Sequence, residues 1–298
     1  MLLIDEYKDY LHGVEGKSAG TVEQYYSSVH LFMQYMKKSE FSITRQSIIK
    51  VKLSNIYGFI NSLTESNSNG TRRNKISALK SFFEYCKEIE LLKHNIIVDL
   101  KKQPKKNKRI AKYFTLEECK RLVNSVGGRN KERDKMMIIL FLNTGIRLAE
   151  LVSLNISCID NENLNIVGKG NKERVIHLDS SIIDLLKEYI KTTRADSGIE
   201  VDALFLSERL TRVSSDSVQS AVNKAIANAG LNTEGKNDVS VHVLRHTFAT
   251  LQFQNGVSIR TLQKILGHED ISTTQIYVQV ADNQMIEAAK TNPLKSIY

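Results

Sequence analysis

The chain has 298 residues, of which 41% are hydrophobic, enough for two domains with ordinary cores. No apolar run approaches the roughly 20 residues of a membrane-spanning helix, and the acidic start MLLIDEYKDYLHG lacks the pattern of a signal peptide. The formal net charge of +9 is uneven: residues 1–112 hold 20 Lys and Arg against 11 Asp and Glu, and the remainder is balanced at 22 each, so the first third is the better candidate for grasping a polyanion.

The first hundred residues read as helices. Ser18 is placed to cap a helix whose apolar positions, Val22, Tyr26, Val29, Phe32 or Met33, and Met36, recur near 3.6 residues. A second stripe runs through Leu53, Ile56, Tyr57, Ile60 and Leu63 and stops in the polar stretch ESNSNG. A third helix begins near Thr71, with Ile76, Leu79, Phe83, Cys86 and Ile89 inward. Arg72, Arg73, Lys75 and Lys80 fall off that stripe, as a solvated face or as phosphate contacts. The run KKQPKKNKR follows, with Lys105, Lys106, Lys108 and Arg109, one proline and no apolar side chain. Such a composition cannot pack a core, and its charges repel, so an extended linker lying along a nucleic-acid backbone is expected.

Beyond the linker, Thr115-x-x-Glu118 is a capping box. An apolar helix over 134–143 stops at Gly145, and a short helix carries Arg147 and Glu150. Residues 156–178 change to short alternating runs around GKGNK, whose glycines and asparagine are turn chemistry, predicting a hairpin or three-stranded patch. The rest reads as helical apart from a short run at 203–206. The fold class expected is therefore mainly α, with a small β-sheet in the C-terminal domain. Boundaries follow at 1–100 for a helical domain, 101–112 for the linker and 113–298 for the second domain. Cys86, Cys119 and Cys158 are scattered, without a CxxC pair, and read as small core residues in a reducing cytoplasm rather than as a disulfide or metal set.

Several polar residues in the second domain stand out. His242 and Arg245 are three apart on one helix, and no acid lies within four residues of an arginine that is costly to bury without an anion. Arg147 opens a helix, where free backbone N–H groups favour anions, and Glu150 is placed to orient it. Taken singly, the others have plain structural readings. Lys169 is an exposed lysine at a glycine turn diluted by Lys172 and Arg174, His246 is a packing or supporting residue with a second ligand-type histidine as the alternative, His268 a helix end, and Tyr277 a half-buried aromatic.

As an ordered set, the boxes TGIRLAEL, GKGNKER, HVLRHTFAT and LGHEDISTTQIY resemble the tyrosine recombinases (phage integrase family) over essentially the whole chain. The likeness is greatest to the simple two-domain Xer-type members. It implies a helical, SAM-like core-binding domain joined to a tyrosine-recombinase catalytic domain. It implies that Tyr277 attacks a DNA phosphodiester to leave a 3′-phosphotyrosine, with Arg147, Arg245 and His268 on the phosphate. Lys169 then protonates the leaving 5′-oxygen, His242 assists proton transfer and Glu150 holds the arginine site in shape. DNA contacts are expected from Arg72, Arg73, Lys75, Lys80, Lys105, Lys106, Lys108, Arg109, Lys172 and Arg174. No metal, ATP or other cofactor is implied. The partners implied are duplex DNA with an inverted-repeat core site and three further protomers, identical or from a related recombinase, acting through a Holliday junction. The purposes implied are integration, excision or resolution of a mobile element or replicon. A type IB topoisomerase with the same tyrosine chemistry is the competing expectation. The segment after Tyr277 is expected to dock on a neighbouring protomer.

Overall fold

The structure, a computed structural model, describes residues 2–101, 103–105, 112–168, 172–194, 202–231 and 240–267. The chain divides into two compact units, Met1–Arg109 and Ile110–Tyr298.

The first unit is helical: α1 (Leu3–Gly13), α2 (Ala19–Lys38), α3 (Leu53–Ser62) and α4 (Asn69–Glu88), with single 3-10 turns at Ile48–Lys50 and Ile96–Asp99. Its core forms where the inward stripes meet, and Phe32, Phe59, Phe82 and Phe83 are fully buried in edge-to-face contacts. Ser68 caps α4 by accepting from the Thr71 N–H at 3.2 Å, which starts the helix two residues before the expected Thr71. Ser18 stands at the N-cap of α2, but its hydroxyl pairs with the Thr21 hydroxyl at 2.9 Å rather than with a backbone N–H. On α3 the inward residue is Phe59, 1% exposed, and Tyr57 is 37% exposed, so the stripe runs Ile56, Phe59, Ile60, Leu63.

The second unit runs α5 (Leu116–Asn124), α6 (Lys131–Thr144), α7 (Leu148–Ser153), β1 (Ile159–Asp160), β2 (Asn163–Val167), β3 (Glu173–His177), α8 (Ser180–Tyr189), α9 (Ser215–Asn228), α10 (Val241–Gln254) and α11 (Ile259–Leu266). The strands form an antiparallel sheet in the order β1-β2-β3, with Leu164 opposite Ile176 and Ile166 opposite Arg174. Leu164, Ile166 and Ile176 are buried and Val167 and Val175 are exposed, so the period-2 alternation sets one face on the core. The capping box at Thr115 and Glu118 forms in both directions. Residues 203–206 make isolated bridges, Asn155 to Ala203 and Leu206 to Arg212, in place of a strand. Their apolar character reflects burial, since Leu204 and Phe205 lie in the core. Cys86 and Cys119 are buried and Cys158 is half-buried, all with free thiols. Among the described residues, no helix is long and apolar enough to cross a membrane.

Candidate active site

α6 ends at Gly145, whose φ of +60° is left-handed. A Cβ there would lie 2.4 Å from Phe248 Cδ1 and 2.8 Å from Leu266 Cδ2, so only glycine lets this turn press against α10 and α11. The chain then delivers Arg147 as the N-cap of α7, with Glu150 one turn on. The Arg147 backbone N–H donates to Glu150 Oε2 at 2.7 Å and its Nη1 to Oε1 at 2.9 Å.

Glu150 also receives a second guanidinium, Arg174 from β3, in a bidentate pair: Nη1 to Oε1 at 2.9 Å and Nη2 to Oε2 at 2.8 Å. Burial pushes the Glu150 carboxyl up, but the Arg174 hydrogen bonds, then those of Arg147, outweigh it and hold the group at about 2, firmly ionised.

Three guanidinium groups converge on the C-terminal end of α11. Arg174 Nε donates to the Ile265 carbonyl at 2.9 Å, Arg245 Nη2 to that of Leu266 at 2.7 Å, and Arg147 Nη2 to that of Gly267 at 3.0 Å. Each comes from a different element, and each bonds the next carbonyl along the chain. The carbonyl end of a helix carries partial negative charge and accepts cations readily. Arg245, 6% exposed, also gives Nη1 to the Gly145 carbonyl at 2.6 Å, tying the end of α6 to the end of α11. Three guanidinium groups thus gather at one helix end, and the Glu150 carboxylate meets two of them, an excess of positive charge suited to a phosphodiester. The Arg147 side chain is 39% exposed, whereas that of Arg174 is 14% exposed.

His242 lies exposed in the first turn of α10 and does not share the buried setting of Arg245. His246 is half-buried, and burial, followed by the nearby His242 and Arg245, lowers its pKa and favours the neutral ring. Lys169, His268 and Tyr277 lie outside the described residues, as do Lys106, Lys108 and Arg109. The flanks of the Lys169 turn are described: Gly168 N–H donates to the Lys172 carbonyl at 2.8 Å, and the Lys172 side chain is exposed.

The expected DNA contacts take differing positions. Lys80 and Lys105 are exposed and Lys75 is half-buried. Arg72 braces the approach to α4 through Thr64 Oγ1 at 2.8 Å and Asn69 Oδ1 at 2.6 Å, and Arg73 Nη1 reaches the Pro104 carbonyl at 3.3 Å. Arg174 points inward to Glu150 and α11 rather than outward from the hairpin. Its place could have been read from the strand alternation, because Arg174 shares a face with the buried Ile176.

Comparison with known proteins gives this arrangement its family. Residues 112–284 match the phage integrase family, and residues 4–88 match the phage integrase N-terminal SAM-like domain. The chain belongs to the phage integrase family. It is 38% identical over 310 residues to the tyrosine recombinase XerC of Caldanaerobacter subterraneus subsp. tengcongensis, covering 98% of this chain and 87% of that protein. The fold matches the crystal structure of the XerH site-specific recombinase bound to a palindromic difH substrate, a post-cleavage complex, with a TM-score of 0.78 at 23% identity over 97% and 84% of the two chains. A lambda integrase tetramer bound to a Holliday junction matches with a TM-score of 0.71 at 17% identity, over 90% and 76%. The helical SAM-like domain and the tyrosine-recombinase catalytic domain with its small sheet are thus those of this family. Its activity is the site-specific DNA recombination of the tyrosine recombinases, and nothing in these relatives favours a type IB topoisomerase.

Proposed function

We propose that this recombinase breaks and rejoins duplex DNA at an inverted-repeat core site through a 3′-phosphotyrosine on Tyr277. The observation that carries the reading is the convergence of Arg147 and Arg245 on adjacent carbonyls at the end of α11, one or two residues before His268. In this reading both guanidinium groups turn donors to the non-bridging oxygens and stabilise the charge that grows as the phosphorus becomes five-coordinate. His268 adds a donor, Lys169 protonates the departing 5′-oxygen, and His242 assists removal of the phenol proton. A phenol with a pKa near 10 is mostly protonated at neutral pH, so the nucleophile needs both a base and a cationic cradle. The covalent bond conserves the energy of the broken linkage, so resealing needs no ATP.

The basic first domain grips the duplex with Arg72, Arg73, Lys75 and Lys80. The linker over 101–112 follows the backbone, and Lys172 reaches it from the hairpin. Four protomers act on two duplexes through a Holliday junction, and the tail after Tyr277 docks on a neighbour. DNA partners and assembly on DNA have support in the fold shared with the XerH and lambda integrase complexes.

The test mixes two differently labelled duplexes carrying the core site, without ATP. The expected product is a chimaeric duplex in which a strand of one partner is joined to a strand of the other. Efficient relaxation of supercoils with no chimaeric product contradicts the proposal.

A further inference from the structure

Arg174 sits on the inward face of β3, with both terminal nitrogens on Glu150 and Nε on the Ile265 carbonyl. Both of its terminal nitrogens are spent on one carboxylate, whereas the terminal nitrogens of Arg245 meet neutral carbonyls, so the charge of Arg174 is committed to Glu150 rather than offered to a DNA backbone. Glu150, whose side chain is 5% exposed, stands between this guanidinium and that of Arg147.

The charges explain why two arginines share one acid. A buried carboxylate paired with Arg147 alone forms a neutral couple that attracts a phosphate weakly. The same carboxylate held by a second guanidinium leaves the trio with one net positive charge, on the more exposed Arg147. We propose that Arg174 is a positioning residue: it offsets the charge of Glu150, so that Glu150 orients Arg147 without cancelling its pull on the scissile phosphate. This rests on the reading of Arg147 as a phosphate clamp. The bond to Ile265 adds a mechanical role, because it ties β3 to the same helix end that receives Arg147.

The test is single-turnover cleavage of a duplex core site by the full chain carrying R174Q, E150Q, both together, or R147Q. R174Q is expected to slow cleavage about 30-fold, since close charge pairs couple strongly. In the E150Q background the same change is expected to cost no more than about threefold, because no carboxylate is left to offset. In the E150Q background R174Q also leaves the salt dependence of DNA binding unchanged, since Arg174 holds no phosphate.

If the two losses multiply, the inference is overturned. A salt slope that R174Q makes shallower by about one unit in the E150Q background also overturns it and makes Arg174 a direct phosphate contact. Should R174Q fail to fold, the double variant compared with E150Q alone carries the same decision. R147Q cleaving at the parent rate removes the clamp reading itself. R147Q impaired with R174Q at the parent rate removes only the role of Arg174.

Discussion

Replacing Arg245 with Gln is expected to slow strand cleavage by about 10²–10³, the loss typical of removing one preorganised transition-state donor. The side chain is buried in α10 and spans the Gly145 and Leu266 carbonyls at 2.6 and 2.7 Å. Gln is neutral and too short to bridge both, so the variant loses the brace between the ends of α6 and α11 and the charge proposed to act on the phosphate. Each carbonyl left without its donor costs about 1–3 kcal/mol, so a fall in thermal stability accompanies the loss of rate. Arg245→Lys keeps the charge, but its ammonium is a compact point charge without the planar fork, and it is expected to rescue poorly. The measurement is the rate of covalent complex formation at saturating protein, with a gel shift reporting site binding separately. Cleavage by Arg245→Gln at the parent rate removes Arg245 from the chemistry.

Glu150→Gln is expected to destabilise the second domain by about 3 kcal/mol at neutral pH, the worth of holding a carboxyl at about 2 instead of its ordinary 4.5. A depressed carboxylate pKa stabilises the fold above its unfolded value and loses that contribution as pH falls through the folded value. The stability gap between parent and Glu150→Gln is therefore flat from pH 7 to about 5 and shrinks as the pH falls from about 4.5 towards 2. Denaturant melts across that range check the sign. A gap that widens on acidification shows that the carboxylate is not the stabilising form.

Much of this molecule is written locally. The Thr115 capping box, the Gly145 stop and the pairing of β2 with β3 each depend on neighbours within a few residues, and each forms where the spacing predicts. The stripe of α3 is misread by one position because Tyr57 is next to Ile56 in sequence but a wide rotation away around the helix. The site is less legible. Glu150 is expected beside Arg147 because both lie on one turn, and it is found there. Arg174 is expected on DNA because it sits in a cluster of charges, yet its register on the core face demands an anion, and Glu150 is that anion. The three carbonyls at the end of α11 that receive the arginines leave no sequence signal, since any residue type supplies a carbonyl. Only the packing of α11 against α10 and β3 brings them into reach.

The step on which the proposed reaction depends is the attack of a phenol from the end of the chain on the phosphate that these arginines are placed to hold. It is tested most directly by trapping the protein on a nicked core site labelled at the scissile phosphate, digesting the complex and locating the label. The label is expected on Tyr277 as a 3′-phosphodiester, and none on a Tyr277→Phe protein that still binds the site. An adduct of undiminished yield from Tyr277→Phe, or a label carried by another residue, contradicts it.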